Sequence, residues 1–125
     1  LAAAFIAQAV DDPRVAPLIA NPAAEAKAWY AKHQAVPINH MIAVRSELLE
    51  ERPDVVRELF DVIVQSRLST GGSTVKDGVD LQPVGLENVR NALDIVLRYA
   101  HDQKLVSRRF DVDELFTPLT AALGA

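Results

Sequence analysis

Residues 38–45 read Ile-Asn-His-Met-Ile-Ala-Val-Arg, an alternation of period two inside an otherwise helical sequence. On a strand, Ile38, His40, Ile42 and Val44 would share one face, and Asn39, Met41, Ala43 and Arg45 the other. No second segment reads convincingly as a strand. A lone strand leaves a row of backbone N–H and C=O groups without partners, and burying such groups is costly. It therefore has to pair with a second copy, with a strand from a missing N-terminal part of the same protein, or with a segment that reads as loop. The chain opens on Leu1 and runs straight into Ala-Ala-Ala-Phe-Ile-Ala, which suggests a piece cut from a longer protein.

Around that strand the pattern is helical. Helices are expected over 1–10, 22–34, 46–51, 53–68, 86–103 and 112–122, with a polar, glycine-bearing loop over 69–85. Asn21-Pro22 and Pro53 mark helix starts, because proline in the first turn loses no hydrogen bond. Ser46 reads as the cap of the short helix that follows it. Val56, Leu59, Phe60, Ile63 and Val64 fall on one helical face. Val89, Ala92, Leu93, Val96, Leu97 and Ala100 recur at the spacing of a core-facing stripe. Asp111 and Glu114 form a capping-box pattern before the last helix. A minor hairpin at Asp77-Gly78 is compatible with the loop, although its flanks are short. The expected class is mainly α with one or two short strands, an α+β chain forming a single partial domain over 1–125.

Composition removes several functions. The chain has 17 acidic and 13 basic residues, a net charge of −4, which argues against a general nucleic-acid binder. Without cysteine there is no disulfide framework, thiolate zinc site, iron–sulfur cluster or cysteine nucleophile. The apolar run at the start gives way to Asp11-Asp12-Pro13, well short of the ~20 residues a membrane-spanning helix needs. No phosphate-binding glycine loop and no Gly-x-Ser-x-Gly elbow is present. His33, His40 and His101 lie on separate elements without a ligand spacing, so no metal site is assigned from the sequence, and the cofactor is left unknown.

Among titratable groups, His40 stands out. It is read either as a core histidine satisfied by backbone or as a hydrogen-bond or proton donor at the edge of a cleft. Asn39 could orient a carboxylate or hydroxyl, although it points to the other strand face. Arg45 could hold an anion or be a solvated arginine at a helix entry. Arg108-Arg109 reads as a solvated connector, and Glu47, Glu50 and Glu51 as an exposed acidic face.

Three stretches taken together carry a resemblance. Glu25-Ala-Lys-Ala-Trp-Tyr30, Pro37-Ile-Asn-His40, and Val44-Arg45 through Leu48-Leu-Glu-Glu-Arg-Pro53 look like one block of the 4,5-dihydroxyphthalate decarboxylase family. Gly85-Leu-Glu-Asn88, Leu97-Arg-Tyr99, Gln103-Lys-Leu105 and Asp111-Val-Asp-Glu-Leu-Phe116 resemble that family's C-terminal helices. The chain departs from the family at Lys32-His33-Gln34, where a Thr-Gly-type turn is usual, and at Lys104, where glycine is usual. The family is similar in fold to type 2 periplasmic solute-binding proteins, two α/β lobes around a ligand cleft. The resemblance thus implies a helical C-terminal fragment of that fold. It implies non-oxidative decarboxylation of a hydroxylated aromatic carboxylic acid, with His40 as the acid or a ligand contact and Arg45 and Asn39 as ligand-binding residues. The alternative on the same fold is a transporter's solute-binding component that captures a small carboxylate without chemistry. The expected partner is accordingly a small aromatic or other carboxylate, with no nucleic acid and no membrane span. The expected compartment is the cytoplasm for the enzyme and the periplasm for the binding protein.

Overall fold

The computed structural model describes residues 10–69 and 74–124, so the expected helix over 1–10 lies almost entirely outside the described residues. The chain divides into two compact units, Leu1–Lys32 and His33–Ala125. In the first unit, Asp12 accepts from the backbone N–H and the guanidinium of Arg14, and its carbonyl accepts from Val15. Helix α1 (Pro22–His33) starts where Asn21 Oδ1 accepts from the Ala24 N–H at 3.2 Å. No helix among the described residues is long and apolar enough to cross a membrane.

The described elements of the second unit are mainly helical: α2 (Ser46–Glu51), α3 (Pro53–Ser69) and α4 (Leu86–Asp102), then a 3₁₀ turn (Val112–Leu115) and α5 (Pro118–Ala121). A two-stranded antiparallel sheet, β1 (Val75–Lys76) and β2 (Val79–Asp80), lies between α3 and α4. Its register pairs Val75 with Asp80 and Lys76 with Val79. The two-residue turn is Asp77-Gly78, with φ of 53° and 81°. Two positive φ values match the twist of a hairpin, and Asp-Gly supplies them cheaply. Arg67 of α3 ties the hairpin down, donating to Thr74 Oγ1 and Asp80 Oδ2, each at 2.7 Å.

Three expectations need correction. Residues 38–44 form no strand; they run as irregular chain into α2. Among the described residues no backbone hydrogen bond reaches Ala35–Val44, so the alternating pattern has no ladder to join. The short sheet sits instead inside the expected 69–85 loop, where the turn chemistry is strong and the partner is two residues away. Next, Ser46 is the first residue of α2 and not its cap; extended Arg45 occupies the cap position and no side chain bonds there. Finally, the single helix over 112–122 is two elements. Pro118 holds Thr117 extended (φ −82°, ψ 164°), because its ring disfavours a helical residue before it. Thr117 and Thr120 then cap α5 reciprocally, at 2.9 and 3.3 Å.

The core is small. Leu86, Leu93 and Leu97 of α4 and Val112 of the 3₁₀ turn are buried together, with Ile38, Val89, Phe110, Phe116 and Ala121 packed around them. Val96, expected on that stripe, is 45% exposed. On α3 only Val56 is buried, while Leu59, Val62 and Ile63 face outward. Apolar side chains elsewhere are open to solvent: Leu18, Met41, Ile42, Leu59, Val62 and Leu68 are all exposed.

Two helix ends carry left-handed residues that are not glycine. Gln34, after α1, has φ 49°, and Lys104, after α4, has φ 59°. Beyond α4 the Leu105 N–H donates to the Ala100 carbonyl at 2.8 Å and the Lys104 N–H to that of His101 at 2.9 Å. This pair of bonds is the Schellman closure, whose left-handed position favours glycine. Lys104→Gly is expected to raise stability by about 0.5–1 kcal/mol, the left-handed strain relieved less the entropy glycine costs. A urea midpoint equal to or below that of the parent chain would contradict it.

Candidate functional site

Asn39, His40 and Arg45 come from one short irregular segment whose start is anchored by Ile38 on the α4 core. Proline at 37 fixes the entry, and α2 begins immediately after Arg45. All three side chains are exposed. Among the described residues none of them makes a side-chain hydrogen bond or ion pair. The core-histidine reading of His40 is therefore corrected: its ring is at the surface and no backbone group satisfies it. The segment offers an imidazole, a carboxamide and a guanidinium to whatever approaches, but builds no enclosure of its own.

The surface depressions lie elsewhere. Arg90, Asn91, Asp94 and residues 111–114 line an open depression beside α4 and the 3₁₀ turn. Its charges are organised as ion pairs. Arg90 donates to Glu87 at 2.7 Å and to Asp113 at 2.9 Å. Arg109 donates to Asp94 at 2.7 Å, and Arg108 to Glu114 at 2.5 Å while stacking on Phe110 at 3.9 Å. Glu114 also accepts from the Asp111 N–H at 2.8 Å. Arg109 thus ties the chain beyond α4 back to that helix and Arg108 ties it to the 3₁₀ turn, a clamp of ion pairs whose arginines stay exposed to solvent, as the connector reading expects. Nothing in the spacing of Arg108 and Glu114 announces this; the partners meet because the chain turns back after Lys104. A second depression, along 101–107, is lined by His101, Asp102, Lys104, Leu105, Val106 and Ser107. Asn39, His40 and Arg45 line neither of the two.

The clamp has a pH signature. Hydrogen bonding from Arg108, and then from the Asp111 N–H, holds the Glu114 carboxyl at about 2, below its ordinary 4.5. A carboxyl depressed on folding contributes stability that is present above its unfolded pKa and lost as pH falls through the folded one. Urea midpoints are therefore expected to fall between about pH 5 and pH 2, and to fall less in Glu114→Gln. An equal decline in both proteins would remove Glu114 as a cause.

Among the described residues no group of three or more His, Asp or Glu side chains is placed to hold a metal ion. The arrangement in the second unit is thus one exposed polar segment on a small helical platform, able to present donors to an anion but not to surround it. No family model, no curated protein and no solved structure matches the chain.

Proposed function

We propose that this chain supplies one wall of a ligand cleft in a two-lobed α/β protein similar in fold to type 2 periplasmic solute-binding proteins. Its activity would be that of the 4,5-dihydroxyphthalate decarboxylase family, releasing CO₂ from a hydroxylated aromatic acid in the degradation of aromatic compounds. The single observation that supports this most is the exposure of Asn39, His40 and Arg45 together on one apolar-anchored segment, with every side-chain donor uncommitted. The residue pattern of the resemblance supports the same reading.

In this reading Arg45 pairs with the carboxylate and Asn39 orients a second carboxylate or a ring hydroxyl. The ring–carboxylate bond breaks, its electron pair stays on the ring carbon, and CO₂ leaves. Protonated His40 delivers the proton that forms the new C–H bond, and water reprotonates the imidazole. Closure of the second lobe would exclude water and strengthen the Arg45 contact. The chain alone, lacking that lobe, is expected to be inactive.

One observation favours the binding-protein alternative. No neighbouring group among the described residues orients the His40 ring, as a dedicated proton donor would require. The deciding experiment incubates the full-length protein with 4,5-dihydroxyphthalate and follows CO₂ release beside calorimetric binding. Release that drops about 100-fold or more in His40→Ala, with binding retained, supports the enzyme. Binding without release selects the solute-capturing alternative and its transporter, and neither binding nor release overturns both.

A further inference from the structure

We infer that the peptide joining Asp77 to Gly78 is a self-modification site. It closes to a succinimide, reopens as isoaspartate, and so unties the hairpin from α3. The inference concerns the chain's own backbone and stands apart from the decarboxylase reading.

The sequence supplies the chemistry. A succinimide forms when a backbone nitrogen reaches the side-chain carbonyl carbon of the residue before it, and a side chain on the attacking residue obstructs that approach. Of all the aspartates and asparagines in the chain, only Asp77 precedes glycine. Asp54, Asp61, Asp94, Asp111 and Asn88 precede valine or isoleucine, whose branched Cβ crowds the nitrogen. Asp12 and Asn21 precede proline, which has no N–H to lose.

The fold supplies access. Asp77 and Gly78 are exposed at the tip of the hairpin, and nothing lies within 4 Å of a Cβ position at Gly78. The ladder pairs Lys76 with Val79 and Val75 with Asp80, so the Asp77–Gly78 peptide lies beyond its last rung. Ring closure needs rotation about the Cα–C bond of Asp77, away from the turn conformation. Against it stand those two pairs, a bond from the Leu81 N–H to the Thr74 carbonyl at 2.9 Å, and Arg67. A hairpin this short is marginal by itself and opens at little cost.

The step balances without a co-reactant. The Gly78 nitrogen attacks Cγ of the Asp77 carboxylic acid. The N–Cγ bond forms, the Cγ–OH bond breaks, and one water leaves carrying the amide hydrogen. Water then adds back to the ring. Opening at Cγ returns aspartate; opening at the backbone carbonyl carbon breaks its bond to Gly78 and leaves isoaspartate. The chain then runs through Cβ and Cγ, one backbone atom longer, with the α-carboxylate as a short side group. The two left-handed residues that closed the turn no longer match it. Arg67 bridges Thr74 Oγ1 and Asp80 Oδ2, each at 2.7 Å, and holds both only while the register keeps them together.

The test ages the 125-residue chain for several weeks in neutral buffer at physiological temperature. Isoaspartate is measured by enzymatic methylation with S-adenosylmethionine and located by electron-transfer fragmentation of the peptide that contains residue 77. It should gather there about 10-fold or more above any other aspartate, through an intermediate lighter by one water. Gly78→Ala should slow it about 10-fold or more. Because that change also strains the turn, Asp77→Glu is the second variant; its ring would be six-membered, and it should stay unmodified. In the separated isoaspartyl form, the cross-strand nuclear Overhauser contacts between Val75 and Asp80 should vanish. Isoaspartate absent from residue 77 of the folded chain, or formed there only in urea, overturns the inference, since the turn would then protect the bond. An isoaspartyl form that keeps the Val75–Asp80 contacts overturns the untying. None of these readouts depends on CO₂ release, so this inference and the proposed chemistry can fail separately.

Discussion

Leu93→Ala is expected to cost about 3 kcal/mol or more, the largest effect of any single side-chain truncation in the chain. Leu93, 2% exposed, is the most buried of the described core residues and belongs to the cluster formed with Leu86, Leu97 and Val112. Truncating a buried leucine loses the transfer free energy of its removed atoms and leaves a cavity, together about 2.7–5 kcal/mol. How much of that is recovered depends on whether the walls can close. The Arg90–Asp113 and Arg109–Asp94 pairs beside the cluster are exposed and contribute little to holding its walls apart, so partial collapse keeps the cost near the lower part of that range. Because the core is small, the urea transition of Leu93→Ala is expected to lose its cooperativity or to begin in native buffer. Val96→Ala, on the same helix but 45% exposed, is expected to cost under about 1 kcal/mol. Similar midpoints for the two variants would show that the α4 cluster is not the seat of stability.

Gly85→Ala is expected to cost about 2–3 kcal/mol, for a reason that concerns backbone and not packing volume. Gly85 precedes α4 with φ 90° and ψ 144°, a region that side chains avoid. A Cβ built there would lie 2.5 Å from the Gly124 carbonyl oxygen, with the Gly124 carbonyl carbon at 3.2 Å behind it. The two glycines cross backbone to backbone, and Gly124 in turn rests near the Phe60 ring of α3. The crossing therefore ties the end of the chain to both long helices of the second unit. An added methyl pays the conformational strain and also pushes the C-terminal turn away. Gly78 is the control: its φ is also positive, at 81°, but nothing lies within 4 Å of the Cβ position. Gly78→Ala should show the strain alone, about 1 kcal/mol. Equal losses at the two positions would mean that the close approach contributes nothing.

How much of this was legible beforehand differs by element. The starts of α1, α3 and α4 are local events, set by Asn21-Pro22, by Pro53 and by the periodicity that begins at Leu86, and they lie where the sequence places them. The Asp77-Gly78 turn is equally local, although the strands it joins are too short to stand out among their neighbours. The expected last helix breaks in two because Asp111 and Glu114 mark a start correctly while Pro118 ends what they begin. The capping signal is real but holds only a 3₁₀ turn.

The site segment illustrates the opposite limit. Its residue types, one imidazole, one carboxamide and one guanidinium within 39–45, are plain in the sequence. Their conformation is not, because a strand is a property of two segments. The alternation of 38–45 states which faces would separate if a partner ladder existed, and among the described residues there is none. The same holds for charge. Glu87 and Arg90 are neighbours on any helix, whereas the meeting of Arg108 with Glu114 and of Arg109 with Asp94 depends on how the chain reverses beyond Lys104.

What the sequence determined by itself is therefore the part governed by interactions a few residues apart: helix starts, the core stripe of α4, the hairpin turn, and the absence of cysteine chemistry. Hydrogen bonds and rotamer limits of that range act whatever the rest of the chain does. Only the tertiary structure decided that His40 is exposed, that the 38–45 pattern goes unpaired, and that Gly85 and Gly124 touch. Those outcomes depend on which distant surfaces are present to be paired or buried, and that depends on the whole fold.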